Sequence, residues 1–326
     1  MDRSITRRGF NLALGAGAAT FALRGLPAFA QAKTISIGTG GTGGVYYPIG
    51  GAIANVLTKN LPGMQATAEV TGGSVDNLKL IASGQSELGF TMADAALDAL
   101  NGQDKFRAKV PLRTLLVLYP NRMHVATIDG AGIERMADLK GKRVSTGAPG
   151  SATEVMAFRV IEAAGLDKDK DLKRERLSVA ESVNALKDRK IDAFFWVGGV
   201  PTAAVTDLAA TPGLKMKLLD HGDLVEKMNG KYGKLYTAAT IAPGSYPGYD
   251  KPNANADVWN ILVTGDKMTD DEAYKIVKTL VERKADLVAV HKDAESFSLA
   301  NQVQSRSPVP FHPGALRYFQ EQGVKG

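Results

Sequence analysis

The chain has 326 residues, of which 44% are hydrophobic, 23% charged and 7% aromatic, the balance of a folded water-soluble chain and not of a disordered or membrane-filling one. Lys plus Arg number 40 against 34 Asp plus Glu, a net charge of +6; a mildly positive total without a basic stripe leaves no footprint for nucleic acid. Cysteine is absent, which excludes disulfide frameworks, thiolate nucleophiles, iron–sulfur clusters and Cys-based zinc sites. The length predicts two domains.

Residues 1–30 read as an address. Arg7 and Arg8 lead into an apolar, Gly/Ala-rich run, Phe10–Leu23, of 14 residues, too short to span a bilayer, which takes about 20. Ala28-Phe29-Ala30 offers small-x-small processing chemistry, so cleavage is expected after Ala30, with a periplasmic mature chain starting at Gln31. The paired arginines followed by Phe10 and Leu12 resemble a twin-arginine signal, and an ordinary secretory signal with a basic start is the alternative. Without residues 1–30 the balance is 36 Lys plus Arg against 33 Asp plus Glu, or +3.

From Thr34 onward the pattern is strand, glycine loop, helix. Thr34–Gly38 is strand-like, Gly38–Gly44 is a glycine loop, and Val45–Leu57 places Ile49, Ile53, Val56 and Leu57 at helical spacing. Gln65–Val70, the turn Thr71–Ser74 with Ser74 as N-cap, and a helix over Val75–Ile81 make a second unit. The strand Glu87–Met92 and the helix Ala93–Leu100 follow, and such alternation implies parallel sheets covered by helices. Leu115–Tyr119 and His124–Ile128 read as two strands separated by Pro120-Asn121-Arg122, a candidate crossing between domains. Val144–Thr146, the loop Gly147–Gly150 and a helix opened by a Ser151–Glu154 capping box restart the theme. A Ser178–Glu181 capping box, the buried-strand run Ile191–Val197, a helix after Gly198-Gly199-Val200-Pro201 and a strand at Lys215–Leu219 continue it. Pro243–Pro252 reads as a connector back to the first domain. A Thr269–Glu272 capping box then opens a helix with one apolar face through 288.

Three glycine loops, 38–44, 71–74 and 147–151, each follow a strand and precede a helix, so each brings backbone N–H groups and a positive helix end to a sheet's carboxyl edge. That chemistry suits an anion, most simply a carboxylate held without a metal. Ser74 and Ser151 read equally as plain N-caps. Gly38-x-Gly40-x-x-Gly43 also fits the dinucleotide fingerprint, and an exported NAD(P)-dependent oxidoreductase is the alternative function. Against it, Tyr46, Tyr47 and Pro48 crowd the first helical turn, and Glu69 lies 26 residues beyond Gly43 where about 20 is usual. No GxSxG, HExxH or GxxxxGK[ST] occurs. The four histidines, His124, His221, His291 and His312, lack metal-ligand spacing and read as packing or surface residues.

In their order along the chain, IGTGGTGGVYYPIG at 37–50, TGGSVDNL at 71–78, DLKGKRV at 138–144 with GAPGS at 147–151, IDAFF at 191–195, IAPGSYPG at 241–248 and PFHPGA at 310–315 resemble the TAXI family. These are the solute-binding proteins of tripartite ATP-independent periplasmic (TRAP) transporters. The resemblance implies a two-lobed α/β, type II periplasmic-binding-protein-like fold: each lobe a mostly parallel sheet flanked by helices, with lobe I at 31–122 plus 253–326, lobe II at 123–252, and a hinge between them. It implies a monomer without enzymatic activity or cofactor, not itself membrane-spanning, which hands a small carboxylate, glutamate- or 2-oxoglutarate-like, to a TRAP membrane subunit. The implied ligand-binding residues are Gly41, Thr42, Gly43, Tyr46, Tyr47, Gly73, Ser74, Asn77, Gly147, Gly150 and Ser151, with Trp196 and Gly198 after the IDAFF strand. Asp94 is placed to receive a ligand amino group, or is simply a helix-starting acid. Relatives commonly carry Gln-Ser-Asp where this chain has Met92-Ala93-Asp94.

Overall fold

A computed structural model describes residues 32–324; the expected export signal and its processing point lie outside them. The first unit runs β1 (Lys33–Gly38), α1 (Tyr46–Asn60), β2 (Met64–Glu69), α2 (Ser74–Ser83), β3 (Leu88–Met92) and α3 (Ala93–Asn101). β1 pairs in parallel with both β2 and β3. Every residue of β3 is buried, as expected for an inner parallel strand with helices on both faces. Helix α1 buries Ile49, Ile53, Val56 and Leu57, the stripe its sequence spacing predicts.

The second unit repeats this plan with β5 (Arg143–Ser145), α4 (Ala152–Ala163), β6 (Lys173–Glu175), α5 (Val179–Lys187), β7 (Ala193–Gly198) and α6 (Ala203–Ala209). β5 pairs in parallel with β6 and β7. Between the two units lie β4 (Leu112–Ile128) and β10 (Asn253–Gly265), with β8 (Met216–Leu218), α7 (Val225–Tyr232) and β9 (Tyr236–Ile241) preceding β10. The strand order is β2-β1-β3-β10-β4-β7-β5-β6, with β8 beside β4 and β9 beside β10. Each flank thus has its second strand outermost, then its first and third, then a long strand antiparallel to the third. Helices α8 (Asp270–Glu282), α9 (Lys284–Val288) and α10 (Pro313–Glu321) complete the chain.

Several expectations change here. Pro120-Asn121-Arg122 does not separate two strands, because β4 runs unbroken through it. Proline lacks the N–H a ladder needs, but Pro120 faces Trp259 where the β4–β10 register slips before Ile261, and a bulge is where a strand tolerates proline. Pro243–Pro252 joins β9 to β10, an antiparallel pair, so the chain returns between units inside β10. Strands β9 and β10 are absent from the sequence reading: NANADVWN is rich in Asn and Asp, which strands disfavour. The α8 face is interrupted at Arg283, where α9 begins. Ser151 caps α4 by accepting from Glu154 N, but the Glu154 carboxylate does not return the bond; it binds Lys105, Arg174 and Arg176 instead. The boxes at Ser178 and Thr269 form on both sides.

His124 on β4 and His221 are packing residues. The His124 Nδ1–H donates to Arg122 O (2.9 Å), and its Nε2 accepts from the Tyr246 hydroxyl (2.8 Å), so both ring nitrogens are satisfied in the neutral form. Burial pushes the His124 pKa down to about 4. An unfolded histidine titrates near 6.5, so as pH falls from about 6.5 towards 4 the unfolded chain takes up a proton the folded protein refuses, and stability is lost. The loss from this group by pH 5 is about 2 kcal/mol. The His124→Gln variant is therefore expected to lose less stability than the parent between pH 7 and pH 5, read from urea midpoints; an unchanged difference between the two pH values removes His124 from the account. His221, lowered by burial in the same direction, remains in both proteins.

Candidate functional site: a charge-free cavity between three helix ends

A cavity of about 50 Å³ is lined by Gly40, Gly41, Gly44, Val45 and Tyr46 at the start of α1, by Gly72, Gly73 and Ser74 at the start of α2, and by Ser151, Ala152 and Thr153 at the start of α4. Met92, Tyr119, Asn121, Trp196, Val197 and Gly198 close it. No Asp, Glu, Lys, Arg or His is among these residues. The first N–H groups of a helix have no acceptor within it, so three positive helix ends meet around a neutral space, an arrangement that attracts a negative ligand. A second cleft of about 310 Å³ adjoins it, sharing Gly41, Gly72, Ser151, Thr153 and Trp196 and adding Thr42, Gly43 and Gly147.

Small residues let the two units close this space. Asp76 N donates to Gly150 O (3.1 Å), and Ala204 N donates to Gly43 O (3.3 Å). Gly150 has φ 77°, and a Cβ there would run into the Asp76 carboxylate. A Cβ on Gly72 would stand 2.5 Å from Pro149 O, and one on Gly44 2.9 Å from the Trp196 ring. Ala180 and Ala204 press on Gly43 and Asn77 lies against Gly38, while a Cβ on Gly41 would meet nothing.

Polar groups tie the cavity wall together. Gly73, at φ 118°, occupies the cap position of α2, and Ser74 is its first residue, not its cap. The Ser74 hydroxyl instead accepts from Met92 N at 3.2 Å, joining α2 to β3. The Tyr46 hydroxyl donates to Asn260 Oδ1 and lies 3.5 Å from Ser74 Oγ, while its ring packs 5.1 Å from Phe90. Asn121 Nδ2 donates to the same Asn260 oxygen (2.8 Å). Trp196 Nε1 donates to Thr202 Oγ1 (2.9 Å), which turns the indole into an apolar wall.

Of the residues expected from the sequence, Gly41, Tyr46, Gly73, Ser74, Ser151, Trp196 and Gly198 line the first cavity, and Thr42, Gly43 and Gly147 the second. Tyr47 faces outward, 36% exposed. Asn77 is buried and spends its amide on Thr39 O (2.7 Å) and Phe90 O (2.8 Å), and Gly150 serves the contact with Asp76. Asp94 lies outside both linings. Its Oδ2 accepts from Tyr236 Oη (2.9 Å) and faces Arg159 Nη1 at 3.5 Å, and Arg159 also binds Asp98. A carboxylate so held has no face left for a ligand amino group. One buried guanidinium serves two acids here, and burial raises both: Asp98 is pushed up to about 6, and Asp94 also rises. Tyr119 and Asn121 were not legible as site residues, since they sit inside β4 and no motif marks them.

An α/β sheet with two parallel flanks, crossed by two shared antiparallel strands and bearing helix ends on the central space, defines the periplasmic-binding-protein-like class of fold. The chain belongs to the NMT1-like family, whose model matches residues 37–323. Its fold is similar to that of a solved protein from Bordetella bronchiseptica RB50, at 17% identity over 90% of this chain and 82% of that one, with a TM-score of 0.51. The alkanesulfonate-binding protein SsuA from Xanthomonas axonopodis pv. citri bound to MOPS matches at 16% identity, 88% and 83% coverage and TM-score 0.49. The periplasmic aliphatic sulphonate binding protein SsuA from Escherichia coli matches at 14%, 90% and 94%, and 0.45. No helix among the described residues is long and apolar enough to cross a membrane.

Two variants test the roles assigned here. Ser151→Ala is expected to cost about 1 kcal/mol as the loss of a helix cap, seen as a lower urea midpoint at unchanged slope. Arg159→Met leaves two buried carboxylates without a cation and is expected to cost about 3–5 kcal/mol. Adding Asp94→Asn to it should return part of that loss, and no recovery would mean that Arg159 acts by packing alone.

Proposed function

We propose that the protein is an extracytoplasmic solute-binding protein that closes two lobes on a small carboxylate and presents it to a TRAP-type membrane subunit. The observation that carries this reading is the neutral cavity at which the starts of α1, α2 and α4 converge. Helix-terminal N–H groups can hold a carboxylate there with no lysine, arginine or metal, and so without a charge that would itself need burying. The TAXI-like motifs supply the transporter class, and the first two of them contribute the α1 and α2 walls of the cavity. In this reading lobe I starts at residue 31 and lobe II at about residue 123, and the return to lobe I falls inside β10 rather than at 252. Opening bends the middles of β4 and β10, a hinge of few residues between rigid bodies. Binding and release need no bond-making step, so the protein works without enzymatic activity or cofactor, as a monomer.

The test is a thermal-shift panel of small carboxylates, with methanesulfonate and NAD(P) as comparators, followed by calorimetry on the hits. A ligand that binds only the folded state at about 100 times its Kd adds about 2.7 kcal/mol, a shift of several degrees. A carboxylate is expected to raise the Tm and NAD(P) to leave it unchanged. A response confined to NAD(P) would overturn the reading.

A further inference from the structure

The link between α3 and α4 is out of charge balance. Arg159 of α4 binds Asp98 through Nη2 and faces Asp94 at 3.5 Å through Nη1, and no other Lys, Arg or His among the described residues comes within 4 Å of either carboxylate. None of the three side chains is more than 13% exposed. Tyr236 of β9 accepts from Arg159 at 2.7 Å and donates to Asp94 at 2.9 Å, which adds hydrogen bonds but no charge. Asp104, in the loop after α3, repels Asp98 further. Two negative charges thus share one positive charge, and a buried charge without a partner is costly.

A proton removes that cost. It has a path from water, since Asp98 lines an outer cleft of about 720 Å³ between α3, α4 and α7. The remaining charged groups of that cleft are engaged with one another: Glu162 with Lys231 and Tyr232, Asp169 with Lys168, and Asp167 with Lys170 at 3.4 Å. A proton on Asp98 Oδ1 leaves Oδ2 to accept from Arg159, so the link survives with its charges balanced. Burial pushes Asp98 up to about 6 and raises Asp94 as well, against the pull of Arg159.

In the two-lobed reading above, α3 belongs to lobe I and α4, α7 and β9 to lobe II. The lobes are together here, with Asp76 N on Gly150 O and Ala204 N on Gly43 O. Resting on that reading, we propose that closure of the lobes takes up one proton from solvent at the Asp94–Arg159–Asp98 link, so that acid favours the closed form and the solute it holds. Opening returns Asp98 to water, where an aspartate titrates near 3.9. The closed form then holds the proton more tightly, and the form that does so gains as pH falls.

The chain has no cysteine, so Lys79→Cys on α2 and Asn184→Cys on α5, both exposed, can carry nitroxide labels on the purified protein. Their separation, read by pulsed electron resonance without any ligand, gives the closed-to-open ratio. Between pH 7.5 and pH 5.5 this link is expected to raise that ratio about fourfold, for a carboxyl at about 6 when closed and about 3.9 when open. Asp257 and Asp293, which burial also raises, titrate in every variant, so the quantity that decides is the parent's response over that of Asp98→Asn. The variant should respond about fourfold less and, at pH 7.5, be at least as closed as the parent, whereas loss of a merely structural contact would leave it more open. Asp94→Asn restores one-to-one charge from the other side and decides if Asp98→Asn does not fold. Equal responses in parent and variant, a ratio that falls with acid, or a separation that pH does not change overturns the proton link. The carboxylate panel is independent of these distances: a proton response without a carboxylate hit removes the ligand and keeps the link, and a hit without a proton response does the reverse.

Discussion

The structure depends on the pairing of two long strands, β4 and β10. Each has one end in each flank: β4 pairs with β10 over its first part and with β7 and β8 over its last, and β10 pairs with β9 and then with β3 and β4. Without that crossing the two parallel units would be separate sheets, and the starts of α1 and α2 would have no reason to meet the start of α4. The crossing also delivers the side chains that loops cannot, since Asn121 and Asn260 lie on these two strands and share a hydrogen bond at 2.8 Å.

Around this frame, the proposed binding of an anion would rest on partial charges. A full cation in a closed pocket must be desolvated along with its ligand, whereas helix ends and hydroxyls are already oriented and carry no such cost. Most full charges near the cavity are paired, and the Asp76 carboxylate stands against Gly150 and Gly72 between the starts of α2 and α4. Arg159 is spent on Asp94 and Asp98 in a buried link from α4 to α3, with its guanidinium 4.5 Å from the centre of the Tyr232 ring. Glu154, in the first turn of α4, is neutralised by Lys105, Arg174 and Arg176, so it does not cancel the helix end that faces the cavity.

Much of the loop side of the site was legible in the sequence, because glycine runs between a strand and a helix have a local cause and a local signature. The first unit was read nearly residue by residue for the same reason. What escaped were the positions whose role comes from distant partners. Asn253, Asn255 and Asn260 made β10 look unlike a strand, yet its neighbours β3, β4 and β9 decide its conformation. Pro120 read as a break because the slip in the opposing strand that accommodates it lies more than a hundred residues away. Asp94, beside the site in sequence, is drawn from it by Arg159, 65 residues further on. Ser74 had the residue type of a cap, but the helix begins one position earlier than a cap at Ser74 requires, and Gly73 takes that place.

The proline in β4 has a mechanical meaning. A strand bent at an ordinary residue strains or loses a rung of its ladder, but Pro120 has no amide hydrogen to lose, and it stands where the register with β10 already slips. The β4–β10 ladder is thus interrupted at the residue where these strands pass from one flank to the other. A swing of one flank against the other would also part the rim contacts that Gly150 O and Gly43 O accept from the opposite unit.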